Sequence, residues 1–233
     1  MKKFWNTGQG LTIYVALFFI TWTIRATVLF PIDKHISSPE LGQIYSDTLR
    51  VAIWVIPVFI YITLIDKTNP TEYLRLNTFG NKQGVKHSSI IAFFYFVIIL
   101  LVDFFRAGFP SKVAFLPHLF SNSWLKTILM VTLGPIAEEI LFRGFLLQKI
   151  QVIIGSWKAN IATSFLFVAI HFPNWIYTGK ASLEILTLSL SIFALSVLLG
   201  YLMQKSESLL PSIIVHMLNN AISFCRRTET KKN

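Results

Sequence analysis

Apolar residues along the chain gather into long runs separated by short polar stretches, and most runs approach the length of a membrane crossing. A helix needs roughly 20 apolar residues to cross the hydrocarbon core of a bilayer. On that basis helical segments are expected at about Leu11–Phe30, Thr48–Ile65, Ser88–Phe105, Trp124–Ile154, Trp157–Phe172, Leu183–Met203 and Leu209–Phe224. The fourth is too long for one straight crossing. It should kink or break at Gly134-Pro135, where the ring removes a backbone donor and crowds the preceding turn. A break there makes eight helices instead of seven. The fifth and seventh are short, as suits helices enclosed by others or a locally thinned bilayer. The expected fold is therefore all-α, a polytopic transmembrane helical bundle forming one integral membrane domain over residues 1–233. No internal repeat or low-complexity segment interrupts it. The first run is too long for the apolar part of a signal peptide, and no small-residue cleavage site follows it, so it reads as a spanning helix.

Composition agrees with this reading. Of 233 residues, 54% are hydrophobic and 14% charged, and the mean hydropathy is +0.60; a soluble domain carries about 25% charged residues. The formal charge of +10 arises from Lys and Arg between apolar runs and at the tail, which is membrane anchoring and not a nucleic-acid signature. The longest polar connection, Asp66 to His87, carries Lys67, Arg75, Lys82 and Lys86, and the positive-inside rule assigns it to the cytoplasm. Strict alternation brings the loop with Lys149 and Lys158, and the one with Lys205, to the same side. It sends the tail with Arg226, Arg227, Lys231 and Lys232 to the other. Cys225 is the sole cysteine, so no intrachain disulfide can form, and it reads as a small apolar filler.

Within this apolar background a few ionisable residues stand out. Glu138, Glu139 and Arg143 share one helix, and two later apolar runs each carry one histidine, His171 and His216. A charge near the bilayer centre costs at least about 2.5–3.5 kcal/mol, so such residues are functional by default. Glu138 is 11 residues from Lys149, His171 is 13 from Lys158, and His216 is 11 from Lys205. These separations correspond to roughly 16, 20 and 16 Å along a helix, which places all three at similar depth. Glu139 and Arg143 are spaced i,i+4 and should pair on one face, as a structural lock between helices or as part of a site. Glu138, turned by about 100° from Glu139, is left to face a cavity. His216 and Asn220 also share a face at i,i+4, although Asn220 or Asn219 could serve only to join helices. Phe167 precedes His171 by one turn and should wall the same side; Pro173 closes that helix, and Pro211 opens the one with His216. Asp103 and Arg106 are expected to form an interfacial pair and Arg25 to snorkel, and His35, His87 and His118 receive no chemistry.

Three ordered motifs carry a resemblance. Glu138-Glu139-Ile140-Leu141-Phe142-Arg143 fits Glu-Glu-x-x-x-Arg, Phe167 to His171 fits Phe-x-x-x-His, and His216 to Asn220 fits His-x-x-x-Asn. The chain resembles the CAAX prenyl endopeptidase and bacteriocin-processing (Abi) family of intramembrane proteases, over residues 124–224, the expected catalytic core. The resemblance implies a bundle around a polar chamber open to one side, and peptide-bond hydrolysis without a covalent intermediate. Eukaryotic members trim prenylated CAAX tails. Bacterial relatives are linked to peptide maturation, quorum signalling and bacteriocin self-immunity. A bacterial plasma-membrane protein with a membrane-associated peptide or protein substrate is the expectation.

The residues suit that chemistry. There is no Gly-x-Ser-x-Gly elbow, no Gly-x-Gly-Asp and no His-Glu-x-x-His. What remains is a glutamate-activated water, with or without a divalent metal. Glu138, His171 and His216 match a catalytic zinc set of two histidines and a carboxylate. In the metal-free version implied by the resemblance, Glu138 and His171 activate the water while His216 and Asn220 steady the oxyanion, with Glu139 and Arg143 completing the site. The competing readings are a non-proteolytic membrane protein that captures a bacteriocin or modulates a sensor kinase, and a small transporter. A transporter predicts broken helices in repeated halves, which the sequence lacks.

Overall fold

The computed structural model describes residues 8–29, 35–107 and 124–229, without the side chains of 39, 102–107 and 225–229. The expectations for Asp103, Arg106, His118, Cys225 and the basic tail lie outside the described residues or side chains. Among the described residues every regular element is helical, in line with the expected all-α bundle. Helix α1 is Gly8–Leu29. Helix α2 covers residues 39–66 without interruption and starts well before Thr48. Ser38 explains that start: its Oγ accepts the Leu41 N–H at 3.3 Å, Pro39 fills a first-turn position that needs no donor, and Glu40 sits at the positive end. A single turn, α3 (Pro70–Tyr73), precedes α4 (Lys82–Ala107).

Helix α5 spans residues 124–154, and here one expectation needs correction. The chain neither breaks nor starts a new helix at Pro135, which lies inside a continuous helical segment. The departure from α geometry comes later, as a wider π-type stretch over Ile140–Leu147 in which every residue is buried. Such stretches recur at functional sites. The remaining elements are α6 (Ser156–Ala169), α7 (Phe172–Tyr177), α8 (Ser182–Ser206) and α9 (Leu210–Glu229).

Four described helices are long and apolar enough to cross a membrane: Gly8–Leu29, Glu40–Asp66, Lys82–Leu101 and Ser182–Ser206. Their outward faces carry exposed Ile, Leu and Phe, as lipid-facing surfaces do. These features fit a multi-pass membrane protein. The interior is organised around the buried stretch of α5. Phe145 meets Tyr14 of α1 and Tyr61 of α2 edge-on at 5.1 and 5.0 Å, and Phe142 meets Trp54 at 6.1 Å and Phe167 at 5.1 Å. A helix stretch that is apolar on every side but for Arg143 is stable only when surrounded in this way.

The polar connections gather at one end of the bundle. Lys149 Nζ bonds Asp66 at 2.6 Å, Gln204 Nε2 donates to Ser156 O at 2.9 Å, and Asn81 N–H donates to Ser206 O at 3.0 Å. Leu209 N–H reaches Arg75 O at 3.2 Å and Ser208 Oγ donates to Thr78 O at 2.5 Å. The loop with Lys67 and the helix ends carrying Lys158 and Lys205 thus belong to one face of the protein.

Candidate active site

Two adjacent carboxylates of α5 meet different surroundings. Glu139 is fully buried, and its Oε1 accepts from Arg143 Nη1 at 2.9 Å and from His216 Nδ1 at 2.8 Å. The i,i+4 spacing that the sequence offered is used here at the entrance to the π-type stretch. Arg143 is equally enclosed: Nη2 donates to Ser196 O at 3.1 Å and Ser196 Oγ at 2.8 Å, and its guanidinium lies 4.4 Å from the Phe167 ring centre. One buried ion pair therefore joins α5, α6, α8 and α9. Charge-assisted bonds and a ring face satisfy the cation that the apolar interior would otherwise reject.

Glu138 points elsewhere. Its side chain keeps 14% of its exposure while that of Glu139 keeps none. Its Oε2 lies 3.6 Å from His216 Nε2, beyond hydrogen-bond range. Arg143 makes no bond to it, so Glu138 is the uncommitted carboxylate of the pair.

The two histidines are oriented by the same device. A carboxylate oxygen only accepts, so His216 Nδ1 carries the proton shared with Glu139 and Nε2 is the ring nitrogen turned toward Glu138. His171 stands in the turn after α6, where its Nδ1 lies 2.9 Å from Phe167 O. A carbonyl also only accepts, which leaves His171 Nε2 as a lone pair. The Phe167 ring separates and contacts both imidazoles, at 5.5 Å from His171 and 5.8 Å from His216. Trp175 lies along His171 at 5.5 Å, and Trp22 Nε1 of α1 donates to Ile170 O at 2.8 Å, fixing the turn. Glu138 and His216 are both close enough to act on His171 electrostatically.

Asn220 is half-buried one turn beyond His216 and makes no side-chain hydrogen bond among the described residues. Asn219 instead accepts the Tyr95 hydroxyl at 3.0 Å and joins α9 to α4. The helix-joining role thus falls on Asn219, and Asn220 keeps its amide uncommitted.

Two imidazole Nε2 atoms and one free carboxylate are donor types that suit zinc, and second partners on Nδ1 are what metal-bound histidines have. The placement fits less well. Among the described residues no three His, Cys, Asp or Glu side chains are gathered closely enough to hold a metal ion. The steps below are therefore derived from the protein groups alone.

Sequence reasoning missed two contributors. Ser196 is one of several serines in the apolar α8, and nothing in the pattern singles it out. Arg50, inside the second span, lies against α5 at Gly134: a Cβ placed on Gly134 would stand 2.7 Å from Arg50 Nη1. A charge inside an apolar run is the signal that could have flagged it.

Residues 120–222 match the family model of Rce1-like proteins, described as Type II CAAX prenyl endopeptidase. The matched segment includes Glu138, Glu139, Arg143, His171, Ser196, His216 and Asn220, so the similarity to the CAAX prenyl endopeptidase family covers every candidate site residue. No curated protein and no solved structure matches the chain.

Proposed function

We propose that the protein is an intramembrane endopeptidase that hydrolyses a peptide bond of a membrane-associated peptide or protein, using water activated by Glu138. The observation that carries this reading is the division of labour between the two glutamates. Glu139 is consumed by Arg143 and His216, while Glu138 faces partly open space beside an imidazole held in one tautomer. The groups facing that space in their neutral-ring forms are acceptors, which is what holds a water by its hydrogens. Glu138 takes one proton as the water oxygen attacks the carbonyl, and His171 Nε2 orients the other hydrogen. The developing oxyanion needs donors. Asn220 supplies an amide N–H, and His216, one turn away on the same face of α9, is the second group assigned to the oxyanion. Glu138 then returns its proton to the leaving amine. Glu139 and Arg143 act as positioning residues.

The family match supports a CAAX-type substrate, and a bacterial plasma membrane is the setting we favour. A divalent metal at Glu138, His171 and His216 is a second reading, supported by the acceptor that each histidine has at Nδ1. Purified full-length protein, given a farnesylated peptide with a CAAX tail in water enriched in oxygen-18, should release a product carboxylate bearing one heavy oxygen, without a covalent protein adduct. His171→Ala and His216→Ala should each slow release by about 100–1000-fold. Metal content of wild type and both variants separates the two versions. Full activity without stoichiometric metal leaves the glutamate version standing, whereas a metal lost with either histidine supports the second. Binding without any cleavage would replace the protease with a peptide-capturing protein.

A further inference from the structure

Arg50 is a half-buried cation that the proposed water-activating and oxyanion groups leave unused. It lies in the span Glu40–Asp66, in α2. Its side chain retains 22% exposure, and among the described residues its one hydrogen-bonded partner is Asp47, through Nη1 at 3.2 Å. Asp47 is itself buried, with its other oxygen accepting from Gln43 Nε2 at 3.0 Å. Arg50 Nε is enclosed and has no acceptor, and the Trp54 ring lies 5.8 Å from the guanidinium carbon. With Nε enclosed, the hydrogens left for an incoming anion are those of Nη2 and the second one of Nη1, a pair that suits a bidentate carboxylate.

Its location gives that capacity a purpose. Gly134 precedes Glu138 by one helical turn, so the two residues share a face of α5. The absence of a side chain at Gly134 lets Arg50 Nη1 reach the helix backbone there. Arg50 thus stands on the same side of the bundle as the proposed water-activating pair, one turn away from it along α5.

We propose that Arg50 is a specificity-determining residue that binds a carboxylate of the peptide substrate and so sets the distance from that carboxylate to the bond cut beside Glu138. Asp47 orients the guanidinium through its bond to Nη1. The proposal rests on the endopeptidase reading of Glu138. The carboxylate can be the peptide's C-terminus or an acidic side chain, and the test distinguishes them.

The test measures binding, so that turnover does not enter. Full-length protein carrying Glu138→Gln is titrated with a fluorescent farnesylated CAAX-tailed peptide in three forms: free acid without acidic side chains, the same peptide as C-terminal amide, and the amide with one glutamate near the tail. With Arg50 intact, one carboxylate-bearing form should bind about 10–100-fold more tightly than the plain amide. Which form does so identifies the source. Adding Arg50→Gln together with Asp47→Asn, which avoids stranding a buried carboxylate, should erase the preference, and Arg50→Lys should keep part of it. Equal binding of all three forms with Arg50 intact, no binding of any form, or a preference that survives the double substitution would each overturn the proposal. Cleavage is read in parallel on protein with Glu138 restored. A carboxylate preference without cleavage removes the endopeptidase reading while leaving the Arg50 site in place.

Discussion

Glu139 and Arg143 illustrate what residue spacing reveals and what it hides. Their pairing follows from i,i+4 geometry alone, and the structure shows it at 2.9 Å. Nothing in the spacing shows that the same Glu139 oxygen also fixes His216, or that Arg143 ends on Ser196 across the bundle, because both contacts join helices far apart in sequence. These links make Arg143 a keystone of packing. Arg143→Ala leaves Glu139 buried beside an imidazole with no permanent cation, which should cost about 3–5 kcal/mol. Reduced abundance and a lower melting temperature in detergent are the expected results, with activity falling as a consequence. A variant that melts like wild type yet cuts nothing would assign the arginine a direct part in the reaction.

At the scale of elements, the apolar runs located the helices, while their limits depended on local chemistry. The start of α2 was legible in Ser38-Pro39-Glu40, a capping signal that a hydropathy reading passes over because the first turns are polar. The continuity of α5 through Pro135 was not legible, since a proline marks where a helix can yield and tertiary packing decides whether it does. Close helix crossings were equally hidden. Gly200 of α8 lies against Asn160 of α6, whose Nδ2 donates to Val197 O at 2.9 Å, and a Cβ there would stand 2.0 Å from Asn160 Oδ1 and 2.7 Å from its Cγ. Asn160 is short and enclosed, so it has little room to yield. Gly200→Ala should therefore destabilise the protein by about 1–3 kcal/mol through overpacking. Thermal unfolding in detergent checks this, and an unchanged midpoint would show that the α6–α8 crossing can open without cost.

For the whole molecule, the charge pattern carried more information than any single loop. The basic connections were assigned to one side from alternation alone, and the structure joins them through Lys149–Asp66, Asn81–Ser206 and Leu209–Arg75 contacts. The turn at Thr178–Ala181 lies at the other end of α8, whose 25 residues reach roughly 37 Å. In a Cys225→Ser background, Lys67→Cys, Lys158→Cys and Lys205→Cys should all react with an impermeant thiol reagent from the cytoplasmic side, and Thr178→Cys only from the opposite side. Reaction of the three lysine positions from different sides would contradict the arrangement of the bundle. The candidate site was only partly legible at this scale. Motif order named its chemical groups, but the exposure difference between Glu138 and Glu139, which decides their roles, depends on three-dimensional packing.

The central claim is that Glu138 is the base that activates water. The most direct measurement is single-turnover cleavage of the farnesylated CAAX-tailed peptide by purified wild type and Glu138→Gln in proteoliposomes, at matched and saturating enzyme. An amide of the same shape cannot take the proton, so the rate should fall by about 100–10,000-fold. The variant should still accumulate in the membrane and melt near wild type, because Glu138 makes no bond within the buried ion-pair network. Cleavage by Glu138→Gln at the wild-type rate would contradict the account.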